Sequence, residues 1–194
     1  VGPSVPARNI SELIAYAKAN PGKLSFASQG NGTTSHLSGI LFQSLTGIEM
    51  VHVPYRGSTP ALNDIMGSKV DLMFDNVTTT LPFHKAGRVH ILAVATKKRT
   101  TSMPDVPTMA EAGVPNFESG AWVAMIAPEG TPAAIAQRLS KEIAAIIAEP
   151  EVVRQFAVFG ADPIGSTPAS LGATMRDEAA RWKRVIDAAH VTID

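Results

Sequence analysis

Along the first two thirds of the chain the apolar positions switch repeatedly between a short and a helical period, which predicts strands alternating with helices. Ser11 precedes Glu12-Leu13-Ile14-Ala15-Tyr16-Ala17-Lys18-Ala19 and can cap their free amides, and Asn20-Pro21-Gly22 ends the run. A short strand is expected over 24–28, followed by the loop Gln29-Gly30-Asn31-Gly32 and a helix over 33–46. Leu37, Ile40, Leu41 and Leu45 give that helix an apolar face, and Gly47 stands near its stop. The pattern then predicts a strand over 50–53, a helix over 59–66, a strand over 70–74 and a helix over 79–86. Ile91-Leu92-Ala93-Val94-Ala95 is a continuous apolar run suited to a strand covered on both faces. About one helical turn is expected over 108–113 and a further strand over 122–127. This is the order of α/β layering.

After Pro132 the pattern becomes helical. Ile135, Leu139, Ile143 and Ile146/Ile147 make an apolar stripe read as core packing, Pro150 opens a second helix, and Pro168 sits in the first turn of a third ending near Ala189. This stretch is too poor in strands to make a lobe alone. Its helices, the 122–127 strand and a short one around Pro163-Ile164 are expected to pack on strands supplied by upstream sequence. The expectation is a complete lobe to about residue 120 and a partial lobe over 121–194. The start, Val1-Gly2-Pro3-Ser4-Val5-Pro6, has no initiator Met and no signal-peptide pattern, so upstream sequence is expected to have been removed.

Composition narrows the function classes. The 194 residues are 45% hydrophobic and 18% charged, which excludes general disorder, and Lys+Arg 17 against Asp+Glu 17 gives a net charge of +0. That balance, without any dense basic stripe, removes the overall attraction expected of a nucleic-acid binder. Cys 0 excludes disulfides, thiolate metal ligands and cysteine nucleophiles. No apolar run approaches the roughly 18 residues of a bilayer-spanning helix.

The strongest local chemistry is Ser28-Gln29-Gly30-Asn31-Gly32-Thr33-Thr34-Ser35-His36. Its glycines allow close backbone approach, and the free amides and hydroxyls at a helix start can receive an anion such as a carboxylate. The same loop also reads as a tight strand-to-helix turn capped by Thr33. It lacks the Lys-Ser/Thr ending of a phosphate loop and the spacing of a dinucleotide fingerprint, so no nucleotide cofactor is expected. His36 can face the same helix end or serve as a structural ring. His52, His84, His90 and His190 are dispersed and form no metal-binding spacing. Asp75 and Asn76 follow a strand and can point into a crevice at its carboxyl end, or simply cap the loop. Asn76 can donate to a carboxylate, whereas Asp75 repels one unless it accepts from water, an amide or a ligand amino group. Tyr55 can wall a pocket, Arg56 can neutralise charge, and Trp122 reads as an interlobe or core aromatic. No nucleophile elbow or triad pattern occurs, so no catalytic residue is assigned.

Several motifs taken together are more specific. They are Ser28 through Leu37, Val51-His52-Val53-Pro54-Tyr55-Arg56-Gly57, Pro60-Ala61-Leu62, Gly67 through Asp71, Leu92-Ala93-Val94, Pro104-Asp105-Val106-Pro107-Thr108, Glu111-Ala112-Gly113, and Trp122 before Pro128-Glu129-Gly130-Thr131-Pro132. Over essentially its whole length the chain resembles the Bug, or TctC-like, solute receptors of tripartite tricarboxylate transporters. The resemblance implies an α/β, two-lobed periplasmic binding protein of type II, with a small organic anion held in the interlobe cleft. It assigns 1–120 to a nearly complete ligand-binding lobe two and 121–194 to the mostly helical C-terminal portion of lobe one, with about the first third of the family's length missing.

Carried onto matching positions, the implied ligand-binding residues are Ser28, Gly30, Asn31, Gly32, Thr33, Thr34, His36, Tyr55, Asp75 and Asn76. Asp75 is the expected selectivity position, accepting from an amino or hydroxyl substituent. The implied partners are a small organic carboxylate and the membrane permease subunits of a tripartite transporter, with no nucleic acid, no cofactor, no metal and a periplasmic location. A homodimer covering the unfinished lobe is a further expectation. The implied mechanism is capture without bond cleavage. Two competing readings are an enzyme using His36 as a base with Asp75 orienting it, and a sensory or scaffold module.

Overall fold

The computed structural model describes residues 1–158, 160–189 and 191, so His190 lies outside the described residues. The first helix, α1 (Ile10–Ala19), is capped by Asn9 rather than by Ser11, which lies inside its first turn. The Asn9 side chain accepts from the Glu12 amide at 2.8 Å, and the Glu12 carboxylate accepts from the Asn9 side chain at 2.8 Å and the Arg8 amide at 2.7 Å. This reciprocal pair satisfies three donors where a single hydroxyl would satisfy one.

Three strands alternate with three helices after α1. They are β1 (Ser25–Ser28), α2 (Thr34–Thr46), β2 (Val51–Pro54), α3 (Ser58–Met66), β3 (Leu72–Met73) and α4 (Val77–Lys85). The sheet order is β2-β1-β3 and both pairings are parallel, with Phe26 opposite His52 on one side and Leu72 on the other. At the amino end of the ladder the Asp71 carboxylate accepts from the Ser25 amide at 2.7 Å and the Ser25 hydroxyl at 2.8 Å. Strand pleating sends neighbouring residues to opposite faces. Phe26 and Leu72 accordingly enter one core with Leu13, Ala17 and Phe42, while Ala27 enters a second with Ala61, Leu62 and Ile65. A sheet covered on both faces results, and every strand ends by feeding a helix from its carboxyl edge.

Residues 91–95 differ from the expected strand. Val94 makes one parallel bridge, to Thr108, with its amide on the Pro107 carbonyl and its carbonyl accepting from the Met109 amide, both at 2.9 Å. Those backbone groups are thereby used on the 107–109 segment, and the apolar side chains of Leu92, Ala93 and Ala95 pack on the first core instead. The 108–113 stretch is a turn closed by the Ala112 amide on the Thr108 carbonyl at 2.9 Å. It is braced by the Thr108 amide on Glu111 at 2.8 Å and the Glu111 amide on the Thr108 hydroxyl at 3.1 Å.

The chain divides into two compact units, Val1–Ala121 with the chain from Val185, and Trp122–Arg184. The second carries α5 (Ala133–Ile147), α6 (Pro150–Val158) and most of α7 (Pro168–Ala188). Among its described residues neither 122–127 nor 163–164 forms a strand, since no neighbouring strand in this unit offers a ladder to join. The stripe expected to be core is half-exposed at Ile135, Leu139 and Ile146, and Trp122 is 46% exposed, so neither is buried as an internal core residue. Within this unit the Ser140 hydroxyl donates to the Ser166 carbonyl at 3.2 Å and Gly165 lies close against Ala144.

Candidate functional site

Because β1, β2 and β3 run parallel, their carboxyl ends lie along one edge of the sheet, and α2, α3 and α4 all begin there. Each helix start carries the positive end of its dipole and amides with no acceptor inside the helix. Such an edge is where open α/β sheets receive ligands, and three successive helix starts favour a negative one.

The loop after β1 is held by its own side chains. Ser28 is fully buried, and its hydroxyl lies 2.6 Å from His52 Nε2 while contacting the Gly30 amide and carbonyl, each at 3.1 Å. Thr33, expected to cap α2, spends its hydroxyl on the Gly30 carbonyl at 2.7 Å and makes no side-chain cap. The Ser35 hydroxyl accepts from the Gln29 amide at 2.9 Å, and His36 Nδ1 accepts from the Gly32 amide at 3.1 Å. Gly30 at φ 132° and Gly32 at φ 71° take backbone conformations that suit glycine, which lets the loop double back so tightly. Among the described residues the amides of Thr34, Ser35 and His36 have no acceptor, and the Thr34 and Asn31 side chains are exposed beside them.

Beneath the loop the rings of His36 and His52 stack with centroids 3.9 Å apart and planes 10° from parallel, and Phe26 continues the stack at 4.9 Å from His52. Burial lowers both imidazole pKa values, and for His52 burial together with the neighbouring His36 brings it down to about 4. Two imidazolium rings could not stack at that distance without strong repulsion, so the pair is neutral near pH 7. With Nδ1 accepting, neutral His36 carries its proton on Nε2. The ring is thus engaged in loop shape, with its amide-accepting nitrogen already occupied.

Tyr55 is brought to the same edge by its backbone, whose amide donates to the Ser28 carbonyl at 2.9 Å, but its hydroxyl donates to Asp64 at 3.0 Å on α3. Its ring packs against the second core, and burial with the Asp64 hydrogen bond raises its pKa. Asn76 precedes α4 with an exposed side chain that makes no cap; its carbonyl accepts from the Thr79 and Thr80 amides, each at 3.2 Å. Asp75 joins the loop after β1 through Gln29, whose side-chain amide donates to it at 2.8 Å. Arg56 is exposed. Sequence reasoning passed over Gln29, Ser58, Thr79 and Thr80, which all bind Asp75; their signal was position, since each stands at a strand-to-helix junction. Among the described residues no group of three His, Asp or Glu side chains is placed to hold a metal ion, and no helix is long and apolar enough to cross a membrane.

Residues 1–191 match the family described as the tripartite tricarboxylate transporter family receptor. The chain belongs to that family. Among its relatives, the UPF0065 protein in the tcbD-tcbE intergenic region of Pseudomonas sp. is 42% identical over 92% of this chain. The solved structure of R. palustris Rpa4515 with adipate superposes with a TM-score of 0.89 at 36% identity over 99% of this chain. The periplasmic binding protein BugD does so with a TM-score of 0.81 at 36% identity over 97%. This receptor-family chain spans 54% of the Pseudomonas relative and 64% of each of the two solved chains. Its fold is therefore the α/β, periplasmic-binding-protein architecture, with one nearly complete lobe and part of a second.

Proposed function

We propose that this chain is the ligand-receiving part of an extracytoplasmic receptor that captures a small organic carboxylate and hands it, chemically unchanged, to a membrane permease. Residues 1–120 serve as lobe two and 121–194 as the C-terminal portion of lobe one, and the complete protein works in the periplasm. The observation that carries this reading is the carboxyl edge of the sheet. Three helices begin there, the side chains of Ser28, Thr33, Ser35 and His36 are used to hold the loop, and among the described residues the amides of Thr34, Ser35 and His36 have no acceptor. A carboxylate removed from water must regain its hydrogen bonds, and a row of oriented amides supplies them without a neutralising cation. In this arrangement Asn31, Thr34 and Asn76 offer side chains to the ligand, whereas Ser28, Gly30, Gly32, Thr33 and His36 act by shaping the amide row. Tyr55 contributes a wall, since its hydroxyl is already given to Asp64.

The adipate carried by the R. palustris relative supports small dicarboxylates as the first ligands to try. Calorimetric titration of the full-length protein with adipate, succinate, citrate, benzoate and nicotinate is expected to give saturable binding to at least one, with the acid recovered unchanged. A folded protein that binds none of them, or that converts one to a product, would overturn the proposal.

A further inference from the structure

The Asp75 carboxylate is more heavily used than any other group on the ligand-facing edge. Its Oδ1 accepts from Gln29 Nε2 at 2.8 Å and from the Ser58 hydroxyl at 2.8 Å. Its Oδ2 accepts from the Thr79 hydroxyl at 2.7 Å and the Thr80 hydroxyl at 3.1 Å. A carboxylate has about four lone-pair sites, and four donors from within the protein address them, the Thr79 proton being shared with the Asn76 carbonyl at 2.9 Å. The second Gln29 amide proton goes to the Ser58 hydroxyl at 2.7 Å, closing a triangle in which every donor faces an acceptor. The partners come from three different places. Gln29 lies in the loop after β1, Ser58 is the first residue of α3 after β2, and Thr79 and Thr80 lie in the first turn of α4 after β3.

We infer that Asp75 is a tie that sets the three strand-to-helix junctions relative to one another, and is a positioning residue rather than a ligand contact. The consequence for ligand binding rests on the receptor reading above; the tie itself does not. A negative charge beside an anion site would ordinarily weaken the anion. Here the charge is what permits one side chain to accept from four donors at once. Asparagine would keep one acceptor oxygen and turn an amide nitrogen, itself a donor, towards either Gln29 and Ser58 or Thr79 and Thr80. Removing the charge is therefore expected to weaken carboxylate binding, opposite to the simple electrostatic expectation.

Two readouts on the full-length protein test this with Asp75→Asn and Gln29→Leu. The first is amide hydrogen exchange without ligand. Both variants are expected to lose protection at all three junctions, around 29–36, 57–60 and 76–80, while core amides such as Phe26 and Ile65 keep theirs. Loss confined to the start of α4 in Asp75→Asn would overturn the tie, as would a uniform loss that includes the core. The second is affinity for succinate, malate and aspartate, which share a four-carbon skeleton and differ in one substituent. The tie predicts that Asp75→Asn weakens all three by a common factor of about tenfold, the scale of a lost charge-assisted hydrogen bond. Selective loss of aspartate, or tighter succinate, would make Asp75 a ligand contact and overturn the inference. If the unaltered protein binds none of the three acids nor any of those named above, the receptor reading fails, and the exchange result alone decides the tie.

Discussion

Buried Ser28 and His36, with half-buried His52, show how a few polar groups shape a backbone surface. The Ser28 hydroxyl and His36 Nδ1 take up the amides of Gly30 and Gly32, and among the described residues the amides at the start of α2 are the ones left without an acceptor. His52 supports Ser28 from β2 and is the middle ring of the stack, between His36 and Phe26. Its folded-state pKa of about 4 lies below the ordinary 6.5. The unfolded chain therefore takes up a proton in that interval that the folded chain refuses, so the stability present above pH 6.5 declines as pH falls towards about 4 and levels off below it. Urea unfolding between pH 7.5 and 4 is expected to show this decline, and His52→Gln to flatten it about the variant's own lower stability. An unchanged slope in the variant would assign the decline to other groups.

Each element of the edge depends on how closely its helix approaches the sheet. Gly39 lies within α2, and a Cβ there would stand 2.2 Å from the Phe26 ring. Elsewhere in a helix Gly→Ala is worth up to about 1 kcal/mol of stabilisation, but here the ring would have to move. Gly39→Ala is thus expected to destabilise by about 1–3 kcal/mol in urea unfolding, the scale of overpacking, and a stabilised variant would contradict the packing. The sequence pattern made α2, α3 and the three sheet strands legible because apolar periodicity, glycine stops and strand-loop-helix order all agree there. It misread 91–95, where an apolar run looks the same whether its backbone joins the sheet or bonds to 107–109. It also misplaced the α1 cap, choosing the Ser11 hydroxyl over the pair made by Glu12 with Asn9, two residues before Ser11. In the second unit the helices were legible from their stripes, but burial depends on partners that a stripe does not name. At the site, the glycine loop announced itself by composition. The roles of Gln29, Ser58, Thr79 and Thr80 did not, because they arise from parallel strand register, which brings residues far apart in sequence to one edge.

At the scale of the molecule, a three-stranded parallel sheet with both faces covered presents three helix starts on one side, and the chain belongs to a receptor family. A balanced net charge means that any attraction for an anion is made locally, by oriented amides and hydroxyls. The most direct measurement is a titration of the isotopically labelled full-length protein with adipate, following the backbone amide resonances of Thr34, Ser35 and His36. The account predicts that these three amides move together towards the positions of strongly hydrogen-bonded protons and saturate at the affinity found by calorimetry. Saturable adipate binding that leaves all three unmoved would contradict it.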